Sequence, residues 1–151
     1  MTEQAVAEGI IEPEPEKPID SGQVSQEMYD TTLAEVRFFI DNLNRTISGR
    51  NYSNWREALS DEYFEQISSP EFLATASDSP LLHSKNITLK SPNDYFVNVV
   101  VPSRNHSRVD EIEFEAANRV KAYYVDTRNA ETRRLRLYEL VKIDDKWKIA
   151  N

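Results

Sequence analysis

Residues 135–149 read LRLYELVKIDDKWKI, and the fold is decided there. From Leu135 to Ile143 the run is aliphatic, aromatic and β-branched, the composition of a long strand. Asp144-Asp145 is a two-residue link of hairpin type. Trp147 and Ile149 then alternate with Lys146 and Lys148 as a short returning strand. Working back toward the N-terminus, Asp110, Ile112, Phe114 and Ala116 alternate with Glu111, Glu113 and Glu115. That is the period-two pattern of a half-buried strand with a solvated outer face. Asn118 is a turn residue. Val120, Ala122 and Tyr124 form the inner side of the next strand, with Tyr123 and Val125 opposite. Arg128-Asn129-Ala130-Glu131 turns the chain into the long strand. Four antiparallel strands therefore close the sequence.

The residues before them read as helix. From Met28 to Ser48, Leu33, Val36, Phe39 or Ile40, Leu43 and Ile47 recur at spacings of three and four, one apolar stripe. Gly49 stands where a C′ glycine ends a helix. Trp55, Ala58, Leu59, Tyr63 or Phe64 and Ile67 repeat the pattern in a second helix, with Ser53 or Asn54 as its cap and a break near Ser60-Asp61-Glu62-Tyr63. Pro70 opens a third, short helix that ends near Ser77. Asp78-Ser79-Pro80 is a turn. Lys85 to Lys90, with Ile87 and Leu89 on one side, reads as a short strand. Two signals conflict over Tyr95 to Val101. The β-branched composition favours strand, whereas Ser91-Pro92-Asn93-Asp94 is a serine cap, a first-turn proline and an acid at the third position. The cap and the Phe96, Val99, Val100 spacing favour a helix from Pro92 to Val101, stopped by Pro102. Helices and strands are segregated along the chain, so the class is α+β, with helices packed on a curved, mostly antiparallel sheet.

This order, with the ending Leu140-Val141-Lys142-Ile143-Asp144-Asp145-Lys146-Trp147-Lys148-Ile149, resembles the nuclear transport factor 2-like superfamily, a cystatin-like α+β cone. The likeness covers roughly residues 28–151 in topology and the last dozen in motif. It departs from the usual pattern at Asp145, where related hairpins commonly carry glycine. The resemblance implies a long first helix wrapped by a strongly bent sheet, a cone that often holds a pocket, and an outer sheet face that often forms a homodimer. It implies no single activity, because the superfamily holds isomerases, dehydratases, transport factors and accessory domains alike.

Charge divides the chain in two. The net charge is -8 over 151 residues. Residues 1–27 hold seven acids against Lys17, which leaves the remainder close to neutral. Glu12-Pro13-Glu14-Pro15-Glu16-Lys17-Pro18 sets prolines among like charges, so residues 1–26 read as a disordered acidic leader and 27–151 as one domain. A leader of this kind is either a plain tail or a tether, as at the start of lipid-anchored envelope proteins. The charge balance gives no basic excess for nucleic acid, and no run is apolar enough for a membrane span. The chain has no cysteine and two histidines, which excludes disulfides and cysteine chemistry and leaves little for a metal site. No glycine-rich phosphate loop is present, so no cofactor is expected. Localisation reads as either the cell envelope, tethered with its signal removed, or the cytoplasm.

The residues out of place are few. Glu139 shares its alternation with Leu135, Leu137, Val141 and Ile143. An acid on an apolar stripe is either a buried proton-transfer group or the mark of a bulge that shifts the register. Asp110 opens its strand on the Ile112 face and reads as a cap, with a catalytic role as the alternative. Tyr124 and Tyr138 are candidates to line a cavity with their hydroxyls. Arg104 and Arg108 lie in a polar connector, where arginine can clamp a carboxylate or phosphate or tie the loop to Asp110 or Glu111. Over residues 119–148 nine bases face five acids, an array that either docks an anionic partner or pairs across the sheet with Glu111, Glu113 and Glu115. His83 and His106 read as exposed loop residues. The leading expectation is a non-enzymatic accessory domain that binds a protein or small molecule. The alternative is a small isomerase or lyase with Glu139 or Asp110 as base and a tyrosine as donor.

Overall fold

The computed structural model describes residues 24–128 and 131–151. Most of the acidic leader, and part of the turn at 128–131, lie outside the described residues. The structure is α+β, with helices packed against an open four-stranded antiparallel sheet of order β1-β2-β3-β4.

Helix α1 spans Gln26–Ser48, with Ser25 accepting from the Met28 amide as its N-cap. Val36, Ile40, Leu43 and Ile47, the expected stripe, are all buried. Each such side chain contributes about 1.5–3 kcal/mol on leaving water, so this stripe fixes the helix to the sheet. The helix ends differently from expectation. Gly49 keeps a negative φ, and Arg50 takes the left-handed conformation at φ 57°. The reversal therefore falls one residue later, on a side chain.

Helices α2 (Tyr52–Glu57) and α3 (Asp61–Ser68) are the two halves of the expected second helix. Asn51 caps α2, rather than Ser53 or Asn54, and Ser60 caps α3 by accepting from Tyr63 N. The break between them has a reason in the sheet. Ile149 N donates to Ala58 O and Ser60 N donates to Ile149 O, so residues 58–60 cover the edge of the last strand. Helix α4 (Pro70–Ser77) begins on Ser69 and Pro70 as expected. Asp78-Ser79-Pro80 does more than turn, because Ser79 caps a further short helix, α5 (Pro80–Ser84).

Lys85 to Lys90 is not a strand. It is irregular chain, held by Leu89 N donating to Ser77 Oγ, with Leu89 buried against Leu73 and Leu82 in a small satellite core. The alternation of Ile87 and Leu89 reflects that packing and no sheet pairing.

The contested segment is helical, in three stretches: α6 (Pro92–Tyr95), a π turn (Phe96–Val100) and α7 (Val101–Arg104). The Ser91-Pro92 start is as expected, with Ser91 accepting from Asp94 N. Pro102 does not stop the helix. Proline lacks an N–H, and its ring collides with the carbonyl four residues back in a regular α-helix. Here the Val101 amide reaches back five residues to Phe96 O, and the wider turn makes room for the ring.

The sheet comprises β1 (Glu111–Ala116), β2 (Arg119–Asp126), β3 (Arg133–Ile143) and β4 (Lys146–Ile149). Its inner face carries Ile112, Val120, Ala122, Tyr138, Leu140, Trp147 and Ile149, packed on α1, Trp55 and Phe96. Two irregularities bend it. One lies between Phe114 and Ala116 in β1. In the other, Ala122 pairs with Tyr138 but Tyr123 pairs with Arg136, so Leu137 is the extra residue of a bulge. The bulge corrects the expected face of β3. Tyr138 and Leu140 point inward, whereas Glu139 and Val141 lie opposite Lys121 and Arg119 on the outer face. The β3–β4 link places Asp144 at φ 52° and Asp145 at φ 64°, a two-residue turn with both residues left-handed and neither a glycine.

Candidate binding cleft

A cleft of about 250 Å³ opens between α2, α3, the helical segment 92–104 and the inner face of β3 and β4. Its apolar lining includes Trp55, Ile67, Phe72 and Ile149, and Trp55 stacks on Phe96 with ring centres 4.8 Å apart. Its polar lining is unusual in kind. Three tyrosines, Tyr63, Tyr95 and Tyr138, come from α3, α6 and β3, and Arg104 comes from the end of α7. No aspartate, glutamate or histidine is among the residues that line it.

Local structure explains each placement. Ser60 starts α3 so that Tyr63, in its first turn, sits beside Ile67 on the inward side. The Ser91 cap sets Tyr95 edge-on to Phe72, ring centres 5.2 Å apart. The π turn carries the helix past Pro102 far enough to present Arg104, whose guanidinium carbon lies 5.3 Å from the Tyr138 ring centre. The bulge at Leu137 turns Tyr138 inward. Asn44 of α1 holds the following loop from both sides, donating to Ser107 O at 2.8 Å and accepting from Ser107 N at 3.1 Å.

The phenols act as neutral groups. Burial pushes the Tyr63 hydroxyl far above the usual tyrosine range, with the nearby Tyr95 and Tyr138 phenols adding to the shift and Arg104 opposing it. Burial likewise raises Tyr95 and Tyr138, again against the pull of Arg104. The cleft thus offers phenolic O–H groups beside the Arg104 guanidinium. Among the described residues no carboxylate pairs with Arg104.

The structure divides the sequence candidates among three places. Tyr138 and Arg104 meet in the cleft. Arg104 also reaches a second, shallower depression of about 360 Å³, lined by Arg108, His106, Leu137 and Tyr124. There Arg108 lies 4.6 Å over the Tyr124 ring. Its Nε also donates to Asp110 Oδ1 at 2.9 Å, and Asp110 Oδ2 accepts from Val125 N at 2.7 Å. Asp110 therefore ties the start of β1 to the neighbouring strand. Although burial works the other way, Arg108 and the Val125 amide hold its carboxyl below the ordinary range.

Glu139 is in neither cavity. On the outer face it pairs with Arg119 at 3.0 Å and with Arg136 at 3.5 Å. Burial alone would raise its pKa, but hydrogen bonding with Glu115 and the two guanidiniums hold it low. Burial and the Glu139 charge push Glu115 the other way. The rest of that face pairs across strands: Arg134 with Glu111 at 3.0 Å, Lys121 with Glu115 at 3.4 Å, and Tyr123 Oη donating to Glu113 at 2.9 Å. The basic excess of residues 119–148 is largely answered by the β1 glutamates. Tyr63 and Tyr95 were not singled out from sequence. Tyr63 stood as one choice on an apolar stripe, and Tyr95 lay in the contested segment.

No family model matches the chain, and no solved structure matches it. An "uncharacterized lipoprotein" of Treponema pallidum (strain Nichols) is 35% identical to it over 127 residues, which is 84% of this chain and 65% of that protein. The chain thus spans somewhat under two thirds of that relative's length. No described helix is long and apolar enough to cross a membrane.

Proposed function

We propose that this chain is a non-enzymatic binding domain of nuclear transport factor 2-like type, carried on its acidic leader at a cell-envelope surface, with the helix–sheet cleft as its binding site. The observation that carries the reading is the lining of that cleft: apolar side chains, three tyrosine hydroxyls, Arg104 and Arg136, without an aspartate, glutamate or histidine side chain. Sites that hold small molecules combine apolar walls with convergent polar groups, and this cleft has both, the polar share being the larger. An isomerase or lyase that abstracts a proton needs a base within hydrogen-bond reach of its substrate. Glu139 and Asp110, the candidates for that role, are engaged by arginines away from the cleft. The order of elements, the inward-facing bent sheet and the cavity between them support the superfamily assignment. The similarity to a protein named as a lipoprotein supports the envelope tether. The homodimer through the outer sheet face rests on the superfamily resemblance.

The test is a thermal-shift screen of the full chain against small neutral, cationic and anionic compounds with apolar bodies, repeated on Gln66→Trp. Gln66 is exposed at the rim of the cleft, so the larger side chain obstructs it while leaving the core alone. A ligand specific to the folded state, at ~100 times its dissociation constant, adds about 2.7 kcal/mol. The expected outcome is a class of compounds that raises the melting temperature of the parent chain and loses its effect on the Trp variant. Hits that act equally on both place binding elsewhere and overturn the proposal.

A further inference from the structure

The make-up of the cleft also selects a chemical class of ligand, and this step rests on the cleft being a binding site. We infer that the cleft takes a compact monocarboxylic acid, its apolar body against Trp55 and Phe72 and its carboxylate between the Arg104 guanidinium and the Tyr95 and Tyr138 hydroxyls.

Charge sets the sign. Two cations reach the lining, Arg104 and Arg136. Arg136 is drawn to the outer face by Glu139 at 3.5 Å, a carboxylate it shares with Arg119. Arg104 has the Tyr138 ring beneath it and no carboxylate partner among the described residues. A guanidinium without a carboxylate partner, set among phenols and apolar side chains, favours a negatively charged ligand group. A cationic ligand meets repulsion there, and an anionic group is attracted. Guanidinium presents two parallel N–H donors that match the two oxygens of a carboxylate.

The phenols add donors of fixed protonation. Burial holds Tyr95 and Tyr138 in their neutral form, so each has an O–H to give an anion throughout the physiological pH range. Tyr63 lies in the same lining, and burial holds it neutral as well. Apolar walls complete the selection, since a carboxylate without a hydrophobic body forgoes Trp55, Phe72 and Ile67.

The experiment is a calorimetric titration of the full chain with three probes that share one body: 4-phenylbutyrate, 4-phenylbutyramide and 4-phenylbutylamine. The acid is expected to bind about tenfold or more tightly than the amide, and the amine more weakly than both. In Arg104→Gln the preference for acid over amide is expected to vanish while amide binding persists. Arg104→Lys, which keeps the charge, restores part of it. Melting curves of the variants report that each is folded. If acid and amide bind equally to the parent chain and both are blocked by Gln66→Trp, the cleft is a site but the carboxylate inference is overturned. If a preference for acid survives Arg104→Gln undiminished, the anchor is misassigned and the inference fails. If none of the probes binds, both the inference and the binding role of the cleft fall.

Discussion

Leu140 and Leu135 lie on the same strand and test the register of the sheet against each other. With unbroken alternation from Leu135, that residue would face the helices with Leu137, and Leu140 would face solvent. The bulge at Leu137 reverses the strand beyond it, so Leu140 turns inward, while Leu135, opposite Tyr124, keeps its side at the open end of the sheet. Leu140 has no exposed surface and packs among Val120 and Ile149, themselves 0% and 2% exposed, whereas Leu135 is 38% exposed. Truncating a fully enclosed leucine to alanine loses its transfer free energy and leaves a cavity, about 2–5 kcal/mol in all. With the rigid neighbours around Leu140, roughly 3–4 kcal/mol is expected. Leu135→Ala removes a side chain that already meets water and has room to collapse, so about 1 kcal/mol or less is expected. For a domain of this size, that separates the melting temperatures by roughly 8–12 °C. The assay is urea unfolding followed by far-ultraviolet circular dichroism, with an unchanged slope marking a change in stability alone. Equal costs, or a larger cost at Leu135, would refute the bulged register and with it the inward placement of Tyr138.

Other expectations follow from single residues. Asp145→Gly should stabilise the fold by about 0.5–1 kcal/mol, because glycine adopts the observed positive φ without the clash that a Cβ meets; a lower unfolding midpoint would contradict that turn geometry. Asp126 should mark the acid limb of stability. The Arg128 side chain and amide hold its carboxyl at about 2 against an ordinary 3.8. Its contribution is therefore present above the unfolded value and is lost as pH falls through the folded one. Between roughly pH 4 and pH 2 the melting temperature of Asp126→Asn should fall less than that of the parent, and parallel curves would rule this out. Glu139→Gln should bring the titration of Glu115 back down toward the ordinary glutamate range, since the Glu139 charge helps to raise it; carboxyl-carbon chemical shifts that leave Glu115 unmoved would mean the two are not coupled.

The sequence was most legible where one period governs a whole element. The stripe from Val36 to Ile47 is buried as read, and the alternation of β1 and β2 pairs as read up to the irregularity at Glu115. The Ser91-Pro92 start prevailed over the β-branched composition of 95–101 because a cap acts on backbone groups that have no other partner. Misreadings occurred where tertiary contacts override a local rule. Lys85 to Lys90 alternates because Leu89 plugs a small core, and no strand lies beside it. Pro102 ends no helix because the π turn accommodates it. Glu139 looked like an acid on an apolar face because one extra residue, Leu137, exchanges the two faces of β3. A bulge has no strong local signature, although the misplaced acid itself was its signal.

The candidate site was legible in part for the same reasons. Arg104 and Tyr138 could be singled out as polar groups in unusual positions. Tyr63 and Tyr95 could not, because each sits on an apolar helical stripe where tyrosine is an ordinary core residue. Their convergence depends on the angle between α3 and the 92–104 segment, which no local pattern encodes.

The central claim, that the cleft between the helices and the inner sheet face is where this protein binds its ligand, is tested most directly by amide chemical-shift mapping of the full chain during titration with 4-phenylbutyrate. The expected shifts converge on Tyr63, Gln66, Tyr95, Arg104 and Tyr138. Shifts centred instead on the open groove of Phe38, Asn42, Lys146 and Trp147, between the first helix and the β3–β4 hairpin, or no shifts at saturating ligand, would contradict it.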